Sequence, residues 1–161
     1  MTRWCITASA ALACAALATV VPAADNTTSY GEQLVQVYNT YQAIRAHKDA
    51  CDDALPNTRG VTQKSYAAWR ARHAKLIAEL DDRLSGMIRG ASKDDKEYAR
   101  NIGKYEGLLL KQRQDTKQAL LGQPREELEA LCKSLPDLLA SRESDLETLY
   151  ADELKSIRSR R

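Results

Sequence analysis

The stretch AHKDACDDALP, residues 46–56, gathers one histidine, one cysteine and three aspartates within three turns of a helix. His47 stands four residues before Cys51, so on a helix the two share a face, as a pair of metal ligands does. Asp52 and Asp53 follow directly and point elsewhere, because each helical residue turns about 100° from the last. Three chemistries are open to Cys51: thiolate ligand, nucleophile activated by a nearby histidine, or half of a disulfide. A metal set would draw on His47, Cys51, His73 and Cys132.

The redox compartment chooses among them. Arg3 is a short basic n-region, and Cys5 to Val21 is an unbroken run of apolar and small residues. Val21 and Ala23 form the small pair before a cut after Ala23, with Ala24 the next choice. Residues 1–23 therefore read as a cleaved signal peptide and residues 24–161 as a single domain of 138 residues. A retained N-terminal membrane anchor, or a lipoprotein acylated at Cys14, are the alternatives. "ALAC" lacks the large aliphatic residue expected three positions before an acylated cysteine. Cleavage removes Cys5 and Cys14 and leaves Cys51 and Cys132, an even count in an oxidising, periplasmic or extracellular setting. A Cys51–Cys132 disulfide is the expectation, with no metal site and no cofactor.

A second constellation is YAAWRARH, residues 66–73. Tyr66, Trp69 and His73 share a helical face and Arg70 flanks it. Trp, Tyr and Arg are common anchors at protein interfaces, so these four are the candidate partner-binding residues. The competing reading is a core tryptophan in a helix stripe.

No constellation for catalysis emerges. Asp81 with Asp82, and Asp94 with Asp95, are adjacent pairs that diverge on a helix rather than face one site. No phosphate loop, HExxH pair, GxSxG elbow or CxxCH haem motif occurs. Without Arg3 the chain holds 23 basic against 22 acidic residues, a balance that gives no case for nucleic acid as a partner. The basic C-terminus, with Lys155, Arg158, Arg160 and Arg161, suits a helix dipole.

These residues need elements to position them, and the apolar spacing is helical throughout. Tyr30, Leu34, Val37, Tyr41, Ile44, Cys51 and Leu55 mark a first helix over about 30–54, opened by a Ser29–Glu32 capping box and stopped by LPNTRG. Thr62 caps a second, reaching about Arg89 through Trp69, His73, Leu76, Leu80 and Leu84. A third starts after Ser92, with Asp94 and Asp95 in its first turn, and carries Tyr98, Ile102, Tyr105 and Leu109; Gly103 and Gly107 weaken it unless a close helix contact uses them. A fourth runs from Pro124 to the end, with a kink or break at Pro136. The expected fold is all-α: an elongated antiparallel bundle of four long helices, coiled-coil-like in its seams, with one disulfide. A two-helix hairpin that forms a homodimer is the alternative.

The expected function is non-enzymatic. An exported, disulfide-stapled helical protein binds another protein, as an inhibitor or immunity-type protein against a toxin or envelope hydrolase. A periplasmic holdase-type chaperone or envelope-stress factor is the second reading. A small helical enzyme of chorismate-mutase type is the third: Arg83, Arg89, Lys104, Lys111, Gln112 and Arg113 supply the residue types, but their spacing does not resemble that family's opening helix.

Overall fold

The computed structural model describes residues 29–160, so the signal segment with Cys5 and Cys14 lies outside the described residues. Ser29 opens α1 (Tyr30–Ala54) with the expected capping box: its backbone N–H donates to Glu32 Oε2 at 2.7 Å, and Glu32 N–H donates to Ser29 Oγ at 3.3 Å. α1 is the spine of the molecule, packing against α2 (Arg59–Arg72), α3 (Ala74–Gly90), α4 (Asp95–Leu121), α5 (Arg125–Ala140) and α7 (Ala151–Ser159). A single turn, α6 (Leu146–Leu149), precedes α7. Among the described residues there is no strand. The core joins Leu34 and Val37 of α1 to Trp69, Leu80, Leu135 and Ile157, all nearly or fully buried.

Among the described residues seven α-helices stand where four are expected: the second helix divides at His73 and the fourth at Ser141 and again at Tyr150, and the first two of these breaks have physical causes. The second helix is interrupted at His73, whose backbone leaves the helical region (φ −96°, ψ 8°). Its side chain turns inward. Nδ1 lies 2.8 Å from the Trp69 carbonyl oxygen, and Nε2 lies 3.0 Å from Asp145 Oδ1 and 3.3 Å from the Leu146 backbone nitrogen. The fourth helix breaks at Ser141, not at Pro136, which α5 simply includes. A proline removes one bond to the carbonyl four residues back. Ser141 and Asp145, in contrast, both offer caps: Ser141 Oγ accepts from Glu143 N–H at 3.1 Å, and Asp145 Oδ1 accepts from Glu147 N–H at 3.3 Å.

Two further expectations shift. Asp94 is the cap of α4, accepting from Glu97 N–H at 2.7 Å, and Asp95 is its first residue. Thr62 does not cap α2. A 3₁₀ turn at Pro56–Thr58 runs straight into the helix at Arg59, and Thr62 ends inside it, 1% exposed.

Cys51, one turn from the end of α1, is bonded to Cys132 in α5, with Cα atoms 5.3 Å apart and both side chains buried. The surrounding aspartates are not all at the surface, as their charge suggests. Asp52 is buried, held 2.9 Å from Lys48 Nζ and bonded to Gln63 at 3.2 Å, while Arg59 donates to its carbonyl at 2.8 Å. His47 is half-buried, and burial holds its imidazole below the ordinary range.

Candidate functional site: a cationic cleft between the first two helices

Tyr41, Arg45 and Lys48 fall at spacings of four and three, so they form one stripe of α1. Tyr66 and Arg70 form the matching stripe of α2. Where the helices meet, these side chains and Asp49 line a cleft of about 170 Å³.

Trp69 fixes the cleft from behind. It is fully buried, and its indole N–H donates to the Ser144 carbonyl at 2.9 Å. Its ring lies 6.3 Å from that of Tyr41 and 6.1 Å from that of Tyr66, close to parallel with both. His73 packs on the same indole at 4.5 Å. A hydrogen-bonded tryptophan in contact with both cleft tyrosines restricts where their rings can sit.

The charges in the cleft do not cancel. Lys48 lies 3.2 Å from Asp49 and 2.9 Å from Asp52. Burial disfavours its charged form, but the two carboxylates outweigh burial and raise its pKa. Asp49 also lies 3.8 Å from Arg113. The lysine and the aspartates therefore pair with one another, while Asp52 Oδ1 is buried without a hydrogen-bond partner. Arg45 and Arg70 form no ion pair or hydrogen bond among the described residues; Arg45 only leans over the Tyr41 ring, 5.7 Å from its centre. The Tyr66 hydroxyl is buried in the cleft wall without a hydrogen-bond partner. Burial raises its pKa, the neighbouring Tyr41 adds to that, and Arg45 and Arg70 pull against it.

The cleft accordingly offers two unpaired guanidiniums. That is the chemistry of anion recognition, since a guanidinium presents a planar fork of donors matched to oxyanions. Of the four residues singled out in YAAWRARH, the structure brings Tyr66 and Arg70 into the cleft. It places Trp69 and His73 behind it, beyond a partner's reach, where they hold the walls. Tyr41, Arg45, Lys48 and Asp49 complete the cleft and escaped the sequence reading. Tyr41 read as core, and the three charged residues resemble the solvated flank of any amphipathic helix.

Among the described residues, no group of three or more His, Cys, Asp or Glu side chains is placed to hold a metal ion. No described helix is long and apolar enough to cross a membrane. Comparison of the chain with family models, curated proteins and solved structures finds no match.

Proposed function

We propose that this chain is an exported, non-enzymatic protein that binds another protein through the α1–α2 cleft, acting as an inhibitor or immunity-type protein against a toxin or envelope hydrolase. The observation that carries this reading is the pair of unpaired guanidiniums, Arg45 and Arg70, open in a cleft with a rigid aromatic backing. Arginine beside tyrosine is the composition of an interface hot spot. The one acid in the lining, Asp49, is engaged by Lys48 and Arg113, so the cleft holds charge more readily than it moves protons. A set of helices packed on α1 and tied to it by the Cys51–Cys132 bond suits such a role, because a stiff face orders little on binding.

Affinity capture from envelope extract at near-physiological salt, followed by mass spectrometry, tests the reading. The wild-type protein is expected to retain one partner in a one-to-one complex, and Arg45→Glu with Arg70→Glu to release it. Recovery of no stable partner would overturn the proposal. A holdase-type chaperone is the second reading, favoured by Leu108 and Leu110, which are 65% and 59% exposed on α4. Suppression of aggregation of unrelated clients, unaffected by the cleft substitutions, would decide for it.

A further inference from the structure

The cleft does not stand alone. Arg70 also borders a second, shallower groove of about 430 Å³ along the junction of α2 and α3. Ala67, Ala71, Ala74 and Ala78 line that groove beside Ile77, and Asp81 of α3 completes the lining. Their short side chains leave the helix backbones close to the surface, so another chain can approach them closely.

We infer that the two depressions together bind a segment of the partner protein in which a carboxylate side chain is followed by apolar residues. The carboxylate sits between Arg45 and Arg70, and the apolar residues lie on the alanine groove. This inference rests on the protein-binding reading of the cleft and names the chemistry of its ligand.

Three features of the cleft favour that occupant. The cleft, at about 170 Å³, is smaller than the ~300–1,000 Å³ usual for small-molecule pockets, and suits a single side chain. The charge left over is positive and comes from guanidiniums, whose forks pair with carboxylates in a bidentate manner. Asp49 shares the lining, and it repels a phosphate, at about −1.5 to −2, more than a carboxylate.

Titration of the oxidised, isotope-labelled protein with short peptides, followed by amide NMR, tests the inference without needing the partner. The probes are the acetylated tripeptide amide Glu-Leu-Leu, its Gln-Leu-Leu counterpart and inorganic phosphate. The Glu peptide should give saturable shifts at Arg45, Tyr66 and Arg70 and along Ala71 and Ala74. The Gln peptide should bind at least tenfold more weakly, as should the Glu peptide to the Arg45→Gln/Arg70→Gln protein. Ala71→Glu keeps both guanidiniums and places a repelling carboxylate in the groove; it should weaken the Glu peptide to a similar degree. Equal binding of the Glu and Gln peptides, or no saturable shift, would overturn the inference. Phosphate binding more tightly than the Glu peptide would overturn the choice of a carboxylate. If the peptides fail while envelope capture still depends on Arg45 and Arg70, the carboxylate assignment falls and the protein-binding reading survives. If both fail, that reading falls as well.

Discussion

At the scale of the residue, the cleft and the core make opposite uses of the aromatic side chains. Trp69 is fully buried with its one donor used, so its removal leaves both a cavity and an orphaned Ser144 carbonyl. Trp69→Ala should destabilise the fold by about 3–5 kcal/mol, read as a fall in the urea midpoint with the slope unchanged. Tyr105 is the reverse case. Its hydroxyl is buried without a partner, and burial, with the Asp81 charge adding to it, pushes its pKa up to about 12. A buried donor that bonds nothing has lost its water for no return, so Tyr105→Phe should raise stability by about 1 kcal/mol in thermal unfolding. Lower stability would mean that the hydroxyl has an acceptor in solution. The sequence placed Trp69 on the right helical face, but its spacing could not separate a tryptophan that supports an interface from one that forms it. That difference lies in which helix covers the face. Arg45 and Lys48 were hidden for the same reason: a cation on the flank of a stripe becomes notable only once Tyr66 and Arg70 are brought opposite it.

At the scale of the element, the long helices were legible because their apolar stripes persist, and in α1 the Ser29 cap agrees with the stripe. The breaks at His73 and Ser141 were not. Neither carries a glycine or proline to announce it. The first depends on a long-range contact between His73 and the Asp145–Leu146 turn, which no local rule contains. Pro136, the residue that does announce a break, is absorbed within α5. In α4, Gly103 and Gly107 have nothing within 4 Å of where a Cβ would sit, so no packed neighbour explains them. Gly103→Ala and Gly107→Ala should therefore each stabilise the protein by up to about 1 kcal/mol, a rise of a few degrees in Tm. A fall would reveal a close contact on that face in solution. Further along the chain, Glu79 of α3 accepts from Arg158 of α7 at 2.8 and 3.0 Å and from Arg83 at 3.0 Å. The bonds from Arg158 hold its carboxyl below the ordinary 4.5 against the opposing effect of burial, and the bond from Arg83 adds a smaller lowering. A carboxyl depressed in the folded state stabilises the fold at pH above its unfolded value, and that contribution is lost as pH falls through the folded one. Thermal unfolding should therefore show Tm falling between about pH 5 and pH 3, with a shallower fall in Glu79→Gln, which lacks this proton linkage. Identical slopes would show that Glu79 does not fasten α7.

At the scale of the whole molecule, the Cys51–Cys132 bond ties the spine to α5 across 81 residues of sequence. Loop-closure entropy of that size corresponds to about 4 kcal/mol, so Cys51→Ser with Cys132→Ser should lower the urea midpoint accordingly. Alkylation should add two labels only after reduction. The same scale governs how a partner arrives. The full chain carries a formal charge of only +2, and long-range steering grows with the product of the two net charges. On the proposed reading, attraction therefore resides in two guanidiniums at a small cleft and not in a field over the surface. Association should proceed at an unassisted ~10⁵–10⁷ M⁻¹s⁻¹ and change by no more than about threefold between 0.05 and 0.5 M salt. Arg45→Gln with Arg70→Gln should leave that rate nearly unchanged. Dissociation should instead quicken by about a hundredfold, because the loss of a desolvated charge pair is felt after docking and not before it. Biolayer interferometry on the captured partner separates the two rates. An association rate that collapses with salt, with dissociation unmoved by the substitutions, would mean a diffuse electrostatic contact in place of a carboxylate seated between Arg45 and Arg70.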